Sequence, residues 1–300
     1  MNSIRSFLAG IVDYAGLFPP AGLDMETAVS NYARYRVGDD RDLLGRFVVP
    51  AARLDEFSEA ARQVLEKGDA GEPWRLSVLI GDDLAAASEA VLEFNCCHCS
   101  GSELGRAVCN AAEIHVRTES DVTAAAHAFS EFFRVFFEIP LDPDPGPMLQ
   151  AICRHSASAK MRTGGVTEAA FPTSASIIRF ISRSNELGVP FKATAGLHHA
   201  LRSNYPLTYD ADSRRGMMFG YLNLFLAAAF IRRGMSEHEA RDVLEERSVE
   251  AFAFSGGGVS WRGHELSASD LAATRSRLAL SFGSCSFREP VGEARALHLI

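Results

Sequence analysis

The sequence has little of what marks secreted, membrane-bound or nucleic-acid-binding proteins. Its 300 residues contain 6 cysteines, too few for a disulfide scaffold, which indicates a reduced, cytoplasmic protein. The 30 basic and 38 acidic side chains give a net charge of −8, so no excess of positive charge favours nucleic acid or anionic lipid as a partner. The longest nearly uncharged apolar stretch, Met217–Ile231, is shorter than the ~20 residues that span a bilayer. No signal peptide is visible, and we expect no membrane partner.

Signatures of cofactor and metal sites are also missing. No Gly-x-Gly-x-x-Gly follows an early strand, as a dinucleotide-binding sheet would suggest. The cluster Cys96–Cys99 lacks the second ligand pair of a structural zinc site. Ser284–Ser286 lacks the flanking glycines of a nucleophile elbow and is typical of a turn. We therefore expect no cofactor.

What the sequence does have is a regular alternation of two kinds of segment. Short apolar runs bounded by Gly, Pro or Asp alternate with segments of helical periodicity. This alternation predicts an α/β fold, and eight such runs favour a (β/α)8 TIM barrel forming one domain over residues 1–300. The predicted strands are Gly10–Val12, Arg46–Val49, Arg75–Ile80, Glu113–Val116, Phe133–Glu138, Ala159–Met161, Pro190–Ala193 and Ala251–Phe254.

The C-terminal part of the chain allows two arrangements. Ala251–Phe254 precedes the glycine-rich stretch Gly256–Gly258, so it also fits one arm of a hairpin. Ser281–Phe287 is then a second candidate for the eighth strand or its loop. We expect residues 249–300 to form a hairpin-and-helix extension that closes or decorates the barrel. Met217–Ile231 is too apolar for an exposed helix; either this extension covers it or, as we favour, it forms a homo-oligomer interface.

Two lysines are the strongest functional signal. Lys160 and Lys192 lie inside consecutive apolar strands, about one β–α unit apart, and side chains at one level of neighbouring barrel strands point into the same space. Burial and mutual repulsion both disfavour the charged form, so we expect the pKa of at least one lysine to fall. A lysine that is neutral near pH 7 attacks carbonyls and forms a Schiff base. Alternatively, each lysine pairs with a carboxylate in a salt bridge that fills the barrel.

The two lysine strands resemble those of the deoxyribose-phosphate aldolase family. Lys160–Gly164 (Lys-Met-Arg-Thr-Gly) is similar to the family's Lys-Thr-Ser-Thr-Gly, and Lys192–Leu197 (Lys-Ala-Thr-Ala-Gly-Leu) is similar to Lys-Ala-Ser-Gly-Gly-Ile. Ala112–Val116, Arg134–Glu138 and Asp13–Leu17 resemble its fourth, fifth and first strands, in the right order. The resemblance implies a class I, metal-independent lyase of the aldolase type, acting on a small carbonyl compound.

A second resemblance carries no activity with it. The stretches Asp13–Pro20 and Phe282–Pro290 are similar to a bacterial family of unknown activity. Within the first of them, Leu17–Pro20 is expected to form a rigid cap over the barrel mouth.

The aldolase resemblance also implies residue roles. Lys160 would form the Schiff base, Lys192 would lower its pKa, and Asp13 would hold Lys192. The family's proton-relaying Asp on strand four corresponds to His115, and we expect His115 or Glu138 to move protons, since imidazole and carboxylate both do acid–base work.

The substrate pocket is expected in the segments that follow the lysines. Its predicted lining is Arg162, Thr163, Gly164, Gly165, Thr194, Gly196, His198 and His199. The family's phosphate site uses glycines of strands seven and eight, but Ala195 replaces one, Gly196 remains, and Gly256–Gly258 is the candidate second half. Phosphate recognition is therefore in question, and Arg162 with the two histidines would suit a carboxylate instead.

Two other functions compete with the Schiff-base hypothesis. Imidazole and carboxylate at barrel strand ends are proper ligands for a divalent metal, so Glu113, His115, Glu138 and His198 would serve a metal-dependent lyase or aldolase. Alternatively, the barrel binds a small molecule without chemistry.

Overall fold

The computed structural model describes residues 3–65, 72–99, 102–129 and 134–300. The strands are β1 (Val12–Tyr14), β2 (Leu44–Pro50), β3 (Trp74–Ile80), β4 (Ala107–His115), β5 (Arg134–Glu138), β6 (Ser158–Arg162), β7 (Phe191–Thr194), β8 (Ser203–Pro206), β9 (Arg215–Met218), β10 (Phe252–Ser255), β11 (Gly258–Trp261), β12 (His264–Ser267) and β13 (Ala279–Ser284). The helices are α1 (Ser3–Leu8), α2 (Met25–Val37), α3 (Leu54–Ala61), α4 (Leu84–Cys97), α5 (Glu119–Ala128), α6 (Gly146–Arg154), α7 (Ser174–Leu187), α8 (Tyr221–Arg232), α9 (Glu237–Glu245), α10 (Ala268–Arg277) and α11 (Arg288–Ala296).

The predicted TIM barrel is confirmed. In the described ranges, eight parallel strands close in the order β1-β13-β7-β6-β5-β4-β3-β2, with helices in the connections. The strands are short and apolar on both faces because one face fills the barrel and the other packs against the helices. The first predicted strand, Gly10–Val12, is shifted to Val12–Tyr14. Phe133, the predicted start of the fifth, lies outside the described residues.

The eighth barrel strand is β13, so Ala251–Phe254 as a barrel strand is wrong. β13 pairs with β7 on one side and β1 on the other. Phe252–Ser255 is instead the first arm of an antiparallel sheet with β11 and β12, as the hairpin alternative predicts. Gly258 allows this sheet, because a Cβ there would lie 1.9 Å from the carbonyl oxygen of Leu266.

The apolar segment Tyr221–Ile231 is covered by other helices of the same chain. Every residue of Tyr221–Ile231 is buried, and α8 packs against α7, α9 and α10. The expected homo-oligomer interface on this segment is therefore wrong, since its apolar surface is already used inside the protein. No helix in the described ranges combines the length and the apolar character needed to cross a membrane.

Polar side chains set where several helices begin. Asp24 accepts a hydrogen bond from the Thr27 amide and caps α2. Thr118 and Ser236 form capping boxes at the starts of α5 and α9. These local signals fix helix starts without help from the core.

The connection between β7 and α8 is extended by the β8–β9 hairpin. Its two strands pair antiparallel, and the ring of Tyr205 stacks on His199 with the centroids 3.4 Å apart. Because the hairpin follows the carboxyl end of β7, it lies at the end of the barrel where active sites of this fold are found.

Candidate active site

A cavity of about 290 Å³ opens at the carboxyl ends of the barrel strands, and we call it the barrel-mouth cavity. It is lined by Ala15, Phe18, Pro19, Pro20, Val48, Leu79, Glu113, Lys160, Arg162, Gly165, Val166, Lys192, Thr194, Ala195, Gly196, His198, Gly283 and Cys285. Both lysines therefore reach one space, as expected from their equivalent strand positions. The wall formed by Phe18–Pro20 is the predicted cap at the barrel mouth.

Strand register explains why charged side chains meet at the floor of this cavity. Glu138, Lys160, Lys192 and Ser281 are successive Cα partners across β5, β6, β7 and β13. Residues in one register row point to the same side of a sheet, here toward the barrel axis. Four neighbouring strands thus place a polar row inside an otherwise apolar barrel.

Two lysines and three carboxylates form a continuous lysine–carboxylate network of Asp13, Glu113, Glu138, Lys160 and Lys192. The Nζ of Lys192 lies 2.6 Å from Asp13 Oδ2 and 2.6 Å from Glu113 Oε1. The Nζ of Lys160 lies 2.8 Å from Glu113 Oε2 and 2.8 Å from Glu138 Oε2. Glu113 therefore bridges the two ammonium groups, and positive and negative charges alternate along the network.

Neighbouring groups complete the hydrogen bonds of the buried carboxylates. Asp13 accepts from the Ser281 hydroxyl at 2.8 Å and from the Arg46 amide at 2.8 Å. Ser77 donates to Glu113 at 2.6 Å. Because a buried charge is tolerated only when it is paired and hydrogen-bonded, these contacts let the barrel hold the network.

The charge state of the network differs from the expectation. Burial lowers the pKa of Lys160, but Glu113 and Glu138 outweigh burial and raise it above its usual range. Burial likewise opposes ionisation of both glutamates, yet the lysines lower their pKa values. The expectation of a depressed lysine pKa is thus wrong for Lys160, because a carboxylate lies between the lysines. The salt-bridged alternative describes the contacts of both lysines.

His115 does not lie in the expected site. It ends β4, its side chain is exposed, and it lines a surface depression with Asp82 and Asp121 outside the barrel-mouth cavity. A residue at the end of a strand, where the chain leaves the barrel, escapes the inward alternation that holds Glu113. Glu113, expected here only as a metal ligand, is the β4 residue that contacts the lysines.

Several predicted lining residues do reach the cavity. Arg162 is about half exposed at its rim and donates from Nε to Glu138 Oε1 at 3.2 Å. Gly165, Thr194 and Gly196 line the wall. Gly196 has φ +66°, which favours glycine, and Ala195 before it has φ +63°.

Thr163 and Gly164 are structural rather than cavity-lining. The Thr163 hydroxyl is buried and donates to the carbonyl oxygens of Thr194 and Ala195. A Cβ at Gly164 would lie 2.4 Å from the ring of Phe171. Neither residue lines the barrel-mouth cavity, because both pack the loops after β6 and β7 together.

The adjacent histidines face different surroundings. His198 lines the cavity, its Nδ1 lies 3.1 Å from Ser284 Oγ, and burial lowers its pKa to about 4. The Nδ1 of His199 instead lies 2.5 Å from Glu293 Oε1, outside the barrel-mouth cavity. A carboxylate site made of Arg162 and both histidines is therefore not assembled.

The proposed metal ligands do not come together. Glu113 and Glu138 both contact Lys160, whereas His115 lines another depression and His198 contacts the residues after β13. In residues 3–65, 72–99, 102–129 and 134–300, no group of three or more His, Cys, Asp or Glu side chains is arranged to hold a metal ion.

The glycines expected to form the second half of a phosphate site also lie outside the barrel-mouth cavity. Gly256–Gly258 lies at the turn of the β10–β11 hairpin, away from the barrel strands. In β13 the glycine that lines the cavity is Gly283. The misplacement follows from taking the wrong segment as the eighth strand.

Sequence reasoning missed Ser77, Ser281 and Cys285. The two serines support the carboxylates, and Cys285 lines the cavity with its Sγ 3.8 Å from His198 Nδ1. A polar residue inside an apolar strand was the available signal for both serines. No local signal marked Cys285.

No protein-family model matches the chain, and no curated protein sequence is similar to it. The fold and site therefore define a (β/α)8 barrel with a buried lysine pair, and the aldolase resemblance rests on short motifs alone.

Proposed function

We propose that the protein is a class I, aldolase-like lyase that forms a Schiff base between Lys160 and a small carbonyl substrate. The single observation that carries the proposal is the position of Lys160, whose Nζ lies at the floor of the barrel-mouth cavity between two carboxylates. A primary amine, proton acceptors within hydrogen-bond distance and an enclosed space are what imine formation requires.

The reaction begins with a proton transfer. Because the pKa of Lys160 is raised, its ammonium must first give a proton to Glu138 or Glu113. The free amine then attacks the carbonyl carbon, so a C–N bond forms as the carbonyl π bond breaks. A proton passes from the attacking nitrogen to the carbonyl oxygen, which gives a neutral carbinolamine. The protonated carboxylate returns its proton to the departing hydroxyl, water leaves, and an iminium results. The neighbouring carboxylates stabilise the positive charge of the iminium. The iminium then accepts the electron pair of the substrate's Cα–Cβ bond as that bond breaks, which leaves an enamine on Lys160. The β-hydroxyl gives its proton to a carboxylate and departs as a carbonyl group.

Lys192 and Asp13 act as positioning residues in this proposal. Lys192 is almost wholly buried and fixed by Asp13 on one side and Glu113 on the other. It thereby orients Glu113 toward Lys160. The resemblance assigns Lys192 a pKa-lowering role, which the intervening Glu113 weakens by screening one ammonium from the other.

One observation favours a second candidate, a barrel that binds a small molecule without chemistry. Both lysines are held by two carboxylates each, and those of Lys160 keep its amine protonated. Ion pairs of this kind also occur as purely structural fillings of a barrel.

Borohydride trapping with short aldehydes and ketones separates the two candidates. We expect a reduced adduct on Lys160, identified by intact mass and peptide mapping. Lys160→Met should abolish it. The matched control is Lys160→Arg, because arginine keeps the positive charge between Glu113 and Glu138 but forms no imine. A Lys192→Met variant should trap more slowly.

Absence of any adduct across the carbonyl panel would overturn the Schiff-base proposal. If the purified protein then carried a stoichiometric divalent metal, the metal-dependent lyase would replace it. If it carried none and still bound carbonyl compounds reversibly, the binding barrel would be the function.

We also propose that the protein works in the cytoplasm and as a homo-oligomer. All six thiols are free, which suits a reducing compartment. Light scattering at several protein concentrations tests the oligomeric state.

A further inference from the structure

A second cavity of about 260 Å³ adjoins the barrel-mouth cavity, and we call it the hairpin cavity. Its lining is Pro20, His198, His199, Pro206, Leu207, Thr208, Tyr209, Asp210, Met218 and Glu289. Pro20 and His198 line both cavities. The remaining wall comes mainly from the β8–β9 hairpin and its connecting loop. A ligand bound at Lys160 can therefore reach the shared wall with its far end.

His198 presents a hydrogen-bond acceptor at this shared wall. The Ser284 hydroxyl donates its hydrogen to the carbonyl oxygen of Ser286 at 2.6 Å, so its oxygen accepts the hydrogen bond that His198 Nδ1–H donates. With a pKa of about 4 the ring is neutral at pH 7, which leaves Nε2 unprotonated. The side chain is only 9% exposed, and its Nε2 has no partner among the described residues. This nitrogen is available to a ligand.

Two carboxylates add further acceptors and negative charge. Glu289 Oε2 accepts from the Tyr209 hydroxyl at 2.7 Å, and Asp210 Oδ2 accepts from the Thr208 hydroxyl at 2.8 Å. Each carboxylate keeps its second oxygen for another donor. The lining holds no lysine or arginine within the described ranges, and its histidine at the shared wall is neutral. The hairpin cavity is thus rich in acceptors and poor in positive charge.

We propose that the substrate's far end is a hydrogen-bond donor without negative charge, a hydroxyl or an ammonium group, bound by His198 Nε2 and the Glu289 and Asp210 carboxylates. The inference rests on the proposed function for the end of the substrate that reacts at Lys160. It excludes phosphorylated and carboxylated carbonyl compounds as preferred substrates. An anion there would meet two like charges and a nitrogen that donates nothing, whereas a donor satisfies all three groups.

The test is a panel of aldehydes of equal chain length that differ only at the far carbon. The four members carry a hydroxyl, an ammonium, a carboxylate or a phosphate, and the readout is the concentration that gives half-maximal borohydride trapping at Lys160. We expect the hydroxyl and ammonium members to trap at concentrations at least about tenfold lower than the two anionic members. Equal or better trapping of the phosphate or carboxylate member would overturn the inference.

Two variants locate the effect in the hairpin cavity. Glu289→Gln keeps an oxygen for Tyr209 and removes one negative charge, so the advantage of the ammonium member over the carboxylate member should shrink by about tenfold. Asp212→Asn removes the same charge from the same hairpin at an exposed residue that does not line the cavity, and should leave the ratio unchanged. Equal effects of both substitutions would show that net charge rather than this cavity sets the preference.

A carbonyl-free measurement keeps the inference separate from the Schiff-base proposal. Amino alcohols and the corresponding phosphates of the same length are titrated into the protein and followed by calorimetry and by NMR of the His198 ring. If no aldehyde is trapped but the amino alcohols bind and shift the His198 resonances, the Schiff-base proposal fails and the inference stands. If aldehydes are trapped without preference for donors, the inference fails alone. If nothing binds or traps, both fail.

Discussion

The two sides of the candidate active site are built from different parts of the chain. The lysine–carboxylate network comes from barrel strands, and one register row holds three of its five members, Glu138, Lys160 and Lys192. The hairpin cavity comes from the β8–β9 hairpin and the segments after β7 and β13. The strand-built side holds charges in mutual contact. The loop-built side offers acceptors to a ligand.

This difference has a physical reason. Ionised groups inside a barrel must find partners within the barrel, because their desolvation is otherwise too costly. Groups in the hairpin stay partly hydrated and need no internal counter-ion, so they can remain free for a substrate. In this fold, loops can therefore change which ligand binds while the strands keep the buried charges in place.

The largest expected effect is on the strand-built side. Glu113→Gln removes the carboxylate that bridges Lys160 and Lys192, leaving two buried ammonium groups close together. We expect the free energy of unfolding in urea to fall by about 3–5 kcal/mol. Glu119→Gln, which breaks an exposed ion pair with Arg154, is the control and should cost far less. Similar losses in the free energy of unfolding for both variants would show that the bridging carboxylate stabilises the protein no more than an exposed ion pair does.

A second effect concerns the pH dependence of trapping. Because the pKa of Lys160 is raised above its ordinary 10.5, the fraction of free amine grows with pH throughout the neutral and mildly alkaline range. The trapping rate should rise by about tenfold per pH unit, provided that reduction is not limiting. Glu138→Gln removes one source of the shift, so the rise should be displaced toward lower pH. A flat profile between about pH 6 and 9 would contradict the protonated resting state.

Acid stability offers a third, moderate effect. The pKa values of Glu113 and Glu138 are lowered in the folded protein, so their stabilisation is present above about pH 4.5 and is lost as the pH falls through the folded values. For Lys160 the sign is reversed, and its stabilisation is lost only as the pH rises above 10.5 through the raised value. Urea unfolding at a series of pH values should show a smaller acid-induced loss in Glu138→Gln than in the unmodified protein. If the free energy of unfolding fell equally steeply with pH in both proteins, Glu138 would have no part in acid unfolding.

The smallest expected effect is on the loop-built side. Tyr205→Ala removes the ring that stacks on His199 and should cost about 0.5–1.5 kcal/mol beyond the lost burial. We expect faster proteolysis within the β8–β9 hairpin and weaker discrimination among the four aldehydes. The imine at Lys160 should still form. Loss of trapping altogether would show that the two sides are not independent.

Predictions from the sequence succeeded where the signal was local. The alternation of strands and helices, and the lysines inside apolar strands, required only a pattern of neighbours along the chain. Ala251–Phe254 failed as the eighth strand because a hairpin arm and a short barrel strand share the same pattern. The pairing partner, which a sequence does not display, distinguishes the two.

The sequence predicted which residues reach the site better than it predicted which of them contact one another. That Lys160 and Lys192 reach one cavity follows from strand periodicity and the barrel architecture. That Glu113 rather than His115 contacts them depends on where β4 leaves the barrel. The sign of the Lys160 pKa shift depends in turn on its carboxylate partners, which an expectation from burial and mutual repulsion does not include.

The sequence by itself determined an α/β barrel with two lysines at one level, because hydrophobic periodicity and strand length act between near neighbours. Only the tertiary structure decided that a carboxylate bridges those lysines, that β13 closes the barrel, and that His198 faces two cavities. These features join residues far apart in the chain, and their energies depend on distances and burial that arise only when the strands pair.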